Sequence, residues 1–341
     1  MVTIRQVAAH AGVSTATVSY VLNGLGSIPA ETRARVMESV VALDYQPRHA
    51  ARALRGRSHT LGISMASGYD RLADPATAEI LAGMAHAASR QGLALLLMPM
   101  SDDIAKSCVA VARSGQVDGV IVCDPQPEDP RLTALQHAEV ACVSIGPQGD
   151  TWVTSDITLG MGLAVAHLVA LGHRRIALIA PDFALAASDW YVDGFLAALA
   201  DTQLELLDGG IVASGRREAD GEAAMDELLA LPDPPTAVIA ASDELAYGAM
   251  RAIRDAGLVV GRDVSLMGFD DLPPAAYLQP PLTTIRQPRF AIGVAAVQLL
   301  VAQIGHTNPA ESTQSLPPTL LVRGSTGLVP PTVIAHLSPD K

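Results

Sequence analysis

Hydrophobic side chains in the first 45 residues recur at intervals of three and four, which is typical of short amphipathic helices. The pattern predicts one helix near residues 4–11, a second near residues 15–22 and a third within residues 27–45. The positions predicted to face inward are Ile4, Val7, Ala8, Ala11, Val18, Val21, Leu22, Val36, Val40 and Leu43. Because isolated helices below about 12 residues are marginal in water, the first two must pack against each other or against a partner.

Local sequence marks the ends of the first two helices. Thr3 and Gln6 have the spacing of a capping box at the first N-terminus. Gly12 provides the positive φ that ends this helix, and Ser14 is a suitable N-cap for the second. Two helices joined by a tight glycine turn predict a helix-turn-helix. The second helix carries the small residues Thr15, Ala16, Thr17 and Ser19, predicted to face outward and to leave it slim enough for the DNA major groove.

From Leu61 onward, short apolar runs of strand type alternate with helical patterns. The runs are LGISMA, LALLLMPM, VDGVIVC, ACVSIG, RIALIA, TAVIAAS and VSLMGFDD. Continuous apolar strands between helices indicate parallel βαβ units that are buried on both faces. Seven such runs exceed one simple unit, so we expect two similar α/β subdomains behind an all-α head.

The charge is divided unevenly between the head and the rest of the chain. Residues 1–60 contain seven arginines and three acidic residues, a net charge of +4, whereas the remainder carries −16. A basic head on an acidic body favours a module that binds a polyanion while the body avoids non-specific sites. Arginines that merely decorate short helices are the alternative.

Other function classes find little support in the residues. The three cysteines lack metal-binding spacing and predict buried thiols in a reducing compartment. The N-terminus has no leader pattern and no apolar run reaches about 18 residues, so we expect a cytoplasmic protein without membrane contact. The stretch GMGLAV ends in Val165 where a dinucleotide site needs glycine, and no nucleophile elbow or zinc motif occurs. We therefore expect no enzyme, no cofactor and no metal.

Motifs in order along nearly the whole chain resemble the lac repressor (LacI/GalR) family. They are TIRQVAAHAGVSTATVSYVLNG, ETRARVMESVVALDYQPRHAARALRG, VDGVIV, LGHRRIALIA, AASDELAYGAM, DVSLMGFDD, PPLTTIRQP and VRGSTG. The resemblance implies a DNA-binding head at 1–46, a hinge at 47–60 and a Rossmann-like, periplasmic-binding-protein-like effector domain at 61–327. One lobe would span 61–156 and 286–317, the other 157–285 and 318–327, with a tail at 328–341.

The family's DNA contacts map onto named positions of the head and hinge. Base reading would fall to Thr15, Ala16 and Tyr20, and phosphate contacts to Thr3, Ser14, Thr17 and Asn23. Leu54 would insert into the minor groove, with Ala51 and Arg52 beside it. Tyr20 stands where an arginine is common, so the operator sequence cannot be inherited from the family. Arg48 replaces the usual hinge asparagine.

The resemblance also implies an effector cleft between the lobes. Its predicted residues are Asp74, Asp156, Tyr191, Arg216, Ser242, Asp270 and Gln287. Tyr191 occupies a position where an arginine usually precedes the GF motif, here Gly194-Phe195, and Arg216 lies loosely where an aromatic ring is frequent. Relative to the family, the aromatic side chain and the cation would thus be exchanged between two walls of the cleft. The alternatives are strand-end caps for Asp156 and Asp270 and a solvent-facing loop position for Arg216.

These features together predict a homodimeric, operator-binding transcriptional repressor controlled by a small polar effector. A tetramer is left open. The predicted effector is a sugar or a sugar derivative, with a nucleoside-like ligand as the alternative. A free-standing ligand-binding protein of the periplasmic type is the competing class, and the basic head argues against it.

Overall fold

The computed structural model describes residues 2–22, 28–43, 58–65, 74–98, 103–181, 188–307 and 311–330. The chain divides near Ser58 into two compact units, a head and a larger effector unit. Among the described residues, no helix combines the length and apolar character needed to cross a membrane.

The head contains three helices, α1 (Ile4–Ala11), α2 (Thr15–Leu22) and α3 (Ala30–Ala42), and the predicted bounds of the first two are confirmed. The backbone N–H of Thr3 donates to Gln6 Oε1 over 2.8 Å, the return half of the predicted capping box. Gly12 has φ 65°, and the N–H of Thr17 donates to Ser14 Oγ over 3.0 Å. Local capping therefore holds the helix-turn-helix geometry.

The head owes its stability to a small apolar core that the three helices share. Val7, Val18 and Val36, one from each helix, are fully buried and form its centre. Since helices of this length are marginal alone, burial of this face stabilises them together. The outer face of α2 is thereby left for contacts with other molecules.

The effector unit is built from parallel α/β layers. Its strands are β1 Thr60–Met65, β2 Ala94–Leu97, β3 Gly119–Cys123, β4 Cys142–Ile145, β5 Trp152–Ser155, β6 Ile176–Pro181, β7 Ile211–Ser214, β8 Ala237–Ala240, β9 Ser265–Asp270, β10 Thr283–Arg286, β11 Thr313–Leu316 and β12 Thr319–Leu321. Its helices are α4 Pro75–Arg90, α5 Ile104–Arg113, α6 Pro130–His137, α7 Ile157–Ala170, α8 Ser188–Asp201, α9 Glu218–Leu229, α10 Asp243–Asp255 and α11 Arg289–Ile304.

The strands form two six-stranded sheets, which define two lobes. Lobe 1 has the strand order β11-β5-β4-β3-β1-β2 and lobe 2 the order β12-β10-β9-β8-β6-β7. Among the described residues, every strand pair in the two sheets is parallel except β10 with β12. Central strands such as β3 and β8 are buried along their whole length, as parallel strands covered on both faces must be. The predicted fold class, an all-α head with a two-lobed α/β unit, is confirmed.

The described chain passes between the lobes at three points. β5 leads into α7, which packs in the core of lobe 2, and β10 leads into α11, which packs in the core of lobe 1. The third passage joins β11 to β12. The carboxyl ends of the β1, β3 and β5 strands and of β9 therefore meet around one cleft, the usual position of a ligand site in open α/β sheets.

The cysteines behave as expected of core thiols. Cys108 and Cys123 are buried and Cys142 is half-buried, all without a disulfide. Burial raises the pKa of the Cys108 thiol, and burial with the nearby charge of Asp150 raises that of Cys142 to about 11. A raised pKa keeps the Cys108 and Cys142 thiols protonated and unreactive at neutral pH.

Candidate DNA-binding surface and effector cleft

The second helix of the head presents a polar surface. Thr15 and Ala16 are exposed, and Tyr20 is 51% exposed although it is a large aromatic residue. Ser19, in contrast, is buried, so its predicted outward position is wrong. It follows Val18 on the inner side of the helix, where a small residue fits the packing against the neighbouring helices. The outward face of α2 is thus formed by Thr15, Ala16 and Tyr20.

Three of the four residues predicted to contact phosphates, Thr3, Ser14 and Thr17, lie in the described part of the head. Thr3 and Ser14 are exposed at the N-termini of α1 and α2, and Ser14 Oγ lies 2.9 Å from the hydroxyl of Thr17. Helix N-termini carry a partial positive charge and unsatisfied N–H groups, which suits phosphate oxygens. The fourth, Asn23, lies outside the described residues, as do Arg48, Ala51, Arg52 and Leu54 of the predicted hinge.

A cavity of about 220 Å³ lies between the two lobes of the effector unit. It is lined by six of the seven residues predicted for the effector site, namely Asp74, Tyr191, Arg216, Ser242, Asp270 and Gln287. Asp156 is not among the lining residues, although its neighbours Ser155 and Ile157 are. Its carboxylate accepts a hydrogen bond of 2.9 Å from the N–H of Leu159 and caps α7, the alternative that the sequence left open.

Two of the lining residues also cap helices. Asp74 of lobe 1 accepts from the N–H of Ala76 over 2.9 Å at the start of α4. Ser242 of lobe 2 accepts from the N–H of Leu245 over 3.2 Å at the start of α10. A cap fixes the rotamer of its side chain, so both walls of the cavity present polar groups in defined positions.

The centre of the cavity wall is an ion pair that joins the two lobes. Asp270 ends β9 of lobe 2, and Arg289 begins α11 of lobe 1. One Arg289 amino group forms a salt bridge with Asp270 Oδ1, while the other donates to its carbonyl oxygen over 2.6 Å. Gln287 Nε2 donates to Oδ1 over 2.7 Å. Burial raises the pKa of Asp270, and the guanidinium of Arg289 opposes that rise.

Arg289 is a cavity residue that the sequence reasoning missed. Its position after Gln287 and Pro288 reads as the first turn of an ordinary helix. The only available signal was a charged residue at the start of an otherwise apolar helix. Arg289 supplies a cation next to Asp270, while Arg216 lines the same cavity from lobe 2.

Tyr191 forms an aromatic part of the wall. Its ring packs edge-on against Phe269, with centroids 5.2 Å apart and an interplanar angle of 69°. Burial, and next the charge of Asp270, raise the pKa of the phenol. Tyr191 therefore stays protonated at neutral pH and offers a ring edge together with a hydroxyl that can donate or accept.

A buried ion pair supports the lobe 1 side of the cleft. Arg131 donates to the carbonyl oxygens of Ser64 over 3.1 Å and Cys123 over 3.0 Å, near the ends of β1 and β3. Asp129 balances its charge at 2.7 Å. Burial would raise the pKa of Asp129, but the hydrogen bond and charge of Arg131 outweigh it and lower that pKa. These bonds link the ends of β1 and β3 through one guanidinium group.

The cavity contains more acidic than basic side chains. Its carboxylates are Asp74, Asp124, Glu244 and Asp270, and its cations are Arg216 and Arg289. Burial raises the pKa of Glu244, and the charges of Asp74 and Asp270 add to the rise. In the part of the chain that the structure describes, no cluster of three His, Cys, Asp or Glu side chains has the arrangement of a metal site.

Fold and sites together define a DNA-binding transcriptional regulator with a helix-turn-helix head and a two-lobed ligand unit. The model "Bacterial regulatory proteins, lacI family" matches residues 3–48, and the model "Periplasmic binding protein-like domain" matches residues 165–326. The HTH-type transcriptional repressor PurR of Mannheimia succiniciproducens is 32% identical over 333 residues, covering 95% of this chain and 98% of the relative. The chain belongs to the LacI family.

Solved structures agree with this assignment. The lac repressor dimer bound to operator and the anti-inducer ONPF has a TM-score of 0.83 and 28% identity, covering 96% of this chain and 99% of that chain. A complex of the transcriptional regulator CelR with cellobiose has a TM-score of 0.73 and 31% identity, covering 95% of this chain and 100% of that chain. The lacI-family head decides against a free-standing ligand-binding protein, and the chain is a regulator, not an enzyme.

Proposed function

We propose that this regulator is a repressor which binds a palindromic operator as a homodimer and is controlled by a neutral sugar bound between its lobes. The observation that carries the proposal is the interlobe cavity of about 220 Å³ on the same chain as a helix-turn-helix head. A ligand that contacts both lobes stabilises one relative arrangement of them, which is the physical requirement for control of a second site.

Dimerisation follows from the geometry of recognition. One helix-turn-helix reads a single half-site, and a two-fold axis doubles the contacts on a palindrome. The related lac repressor structure is a dimer on its operator. A tetramer remains open for this chain. Because its target is DNA, we propose that it acts in the cytoplasm.

The chemistry of the cavity favours a neutral polyhydroxyl ligand. Asp270 and Ser242 accept hydrogen bonds, Arg216 donates them, and Tyr191 adds an aromatic surface. A phosphate would meet four carboxylates and two arginines, one of them already paired with Asp270. The related regulator CelR was solved with cellobiose. A nucleoside is the second candidate, because the Tyr191 ring next to an acceptor carboxylate also suits an aminated base.

A binding panel on the purified full chain tests the proposal. The panel contains D-ribose, D-glucose, maltose and cellobiose, the phosphates of the two monosaccharides, and adenosine with guanosine. One neutral sugar is expected to raise the thermal midpoint, since a ligand at 100 times its Kd stabilises by about 2.7 kcal/mol. Trp152 of lobe 1 and Trp190 of lobe 2 have centroids 6.1 Å apart, so tryptophan fluorescence reports the lobe arrangement independently.

The same protein is then used to select operator fragments from genomic DNA, with and without the sugar that binds. Release or gain of a palindromic fragment on adding that sugar supports the proposal. A response confined to nucleosides or to sugar phosphates would replace the neutral sugar with that class.

Arg216→Ala is expected to weaken binding of the panel sugar by about 1.5–3 kcal/mol, the value of a hydrogen bond from a charged group. The control is Arg217→Ala, because Arg217 is the next residue, has an 86% exposed side chain paired with Asp220, and does not line the cavity. Titration calorimetry of both variants measures the difference. Equal sugar affinities for the two variants would mean that Arg216 faces solvent. The predicted exchange of an aromatic side chain and a cation between two walls of the cleft would then be wrong.

A further inference from the structure

Ser155, at the carboxyl end of β5, is a buried serine whose hydroxyl lacks a hydrogen-bond partner in the described structure. The residue is 1% exposed and lines the interlobe cavity. Among the described residues, Ser155 Oγ has no hydrogen-bond partner. Three other buried side-chain atoms share that property, on Ser214, Tyr247 and Gln303, and none of these residues lines this cavity.

The strand pattern makes a serine at this position costly. Side chains two residues apart on a strand share a face, and Val153, two residues earlier, packs in the lobe 1 core with Ile292 of α11. An apolar side chain would continue that face. A hydroxyl removed from water without a partner loses its hydration and gains nothing in exchange. A neighbouring serine, Ser144 of β4, is also buried but donates to the carbonyl oxygen of Gly146 over 2.9 Å.

We propose that Ser155 is a specificity-determining residue of the effector site and that its Oγ hydrogen bonds to one hydroxyl of the bound sugar. The proposal rests on the proposed function and names a group of the ligand that this site recognises. Ser155 belongs to lobe 1, whereas Asp270 and Ser242 belong to lobe 2. A sugar held by Ser155 and by those residues spans the cleft, directly beside the passage from β5 to α7.

The first test compares stability without ligand. Ser155→Ala in the full chain is expected to leave the thermal midpoint unchanged or to raise it, because it removes a hydroxyl that has no partner in the folded protein. Ser144→Ala is the matched control and is expected to lower the midpoint, because it removes a hydrogen bond within the same sheet. If Ser155→Ala lowers the midpoint as much as Ser144→Ala does, the hydroxyl has a structural partner and the proposal is wrong.

The second test uses the neutral sugar of the panel that binds the native protein. Its Kd is expected to rise about tenfold in Ser155→Ala. Among the monodeoxy derivatives of that sugar, one is expected to bind native protein more weakly yet to lose no further affinity in Ser155→Ala. Such coupling identifies the hydroxyl that Ser155 contacts.

The results of these tests distinguish a failure of the Ser155 contact from a failure of the proposed effector class. A native protein that responds to a panel sugar, with equal Kd in Ser155→Ala, overturns the role of Ser155 and leaves the proposed function standing; water then satisfies the hydroxyl. A native protein that responds to no neutral sugar overturns the proposed effector class and the Ser155 contact with it.

Discussion

Removal of residues 1–57 is expected to abolish operator binding, while the remaining unit stays folded and keeps its affinity for the effector. The chain divides near Ser58, and β1 begins at Thr60, so the cut removes the head without entering the sheet of lobe 1. The effector unit carries a net charge of −16, which opposes contact with a polyanion. The DNA affinity must therefore reside in the head, whose net charge is +4.

The salt dependence of operator binding measures the contribution of phosphate contacts to DNA affinity in the intact protein. Several phosphate contacts per protomer predict that log Kd against log salt concentration has a slope of magnitude above about 4. Fluorescence anisotropy with a labelled operator fragment gives both this slope and the loss on truncation. Salt-sensitive DNA binding by the truncated protein would place the DNA site outside the head and contradict the assignment of α2.

Tyr20→Ala separates sequence reading from general attraction to DNA. Tyr20 is exposed on α2, whereas the head core is formed by Val7, Val18 and Val36. The variant should therefore fold, keep its affinity for random DNA and its salt slope, and lose discrimination for the selected operator.

The sequence predicted elements whose signal is local. The bounds of α1 and α2 follow from periodicity, from Gly12 and from Ser14, and each of the seven apolar runs contains a strand. Five strands were missed, among them β5, β10 and β11. These are short and contain threonine, serine or glutamine, and they lie where the chain passes between lobes or at sheet edges. Pairing with distant strands forms them, and no local pattern records that pairing.

The cavity was predicted less completely, for a related reason. Six of the seven proposed residues line it because strand ends and helix starts converge on one cleft. Asp156 lies at such a position but turns its carboxylate to its own helix. Arg289 was not predicted because its importance depends on an ion pair with Asp270 of the other lobe. The proposed contact of Ser155 was not predicted because it depends on the lack of a hydrogen-bond partner for its hydroxyl among the described residues.

Asp270→Asn and Arg289→Met, made singly, are each expected to destabilise the protein by about 3–5 kcal/mol, and the double variant by much less. The two side chains are only 16% and 7% exposed, so removing either charge leaves the other buried without its counter-charge. Removing both leaves no charge to compensate. Urea unfolding of the three variants and the native chain measures the coupling between the two residues.

Effector binding distinguishes a ligand contact from a purely structural pair. If Asp270 accepts from the sugar, the double variant regains stability but still binds the panel sugar more weakly by about 1.5–3 kcal/mol, because a charged acceptor is gone. The stability and binding effects then separate in one protein. If instead the double variant binds the sugar as the native chain does, Asp270 only joins the lobes, and ligand recognition rests on Arg216, Ser242 and Ser155.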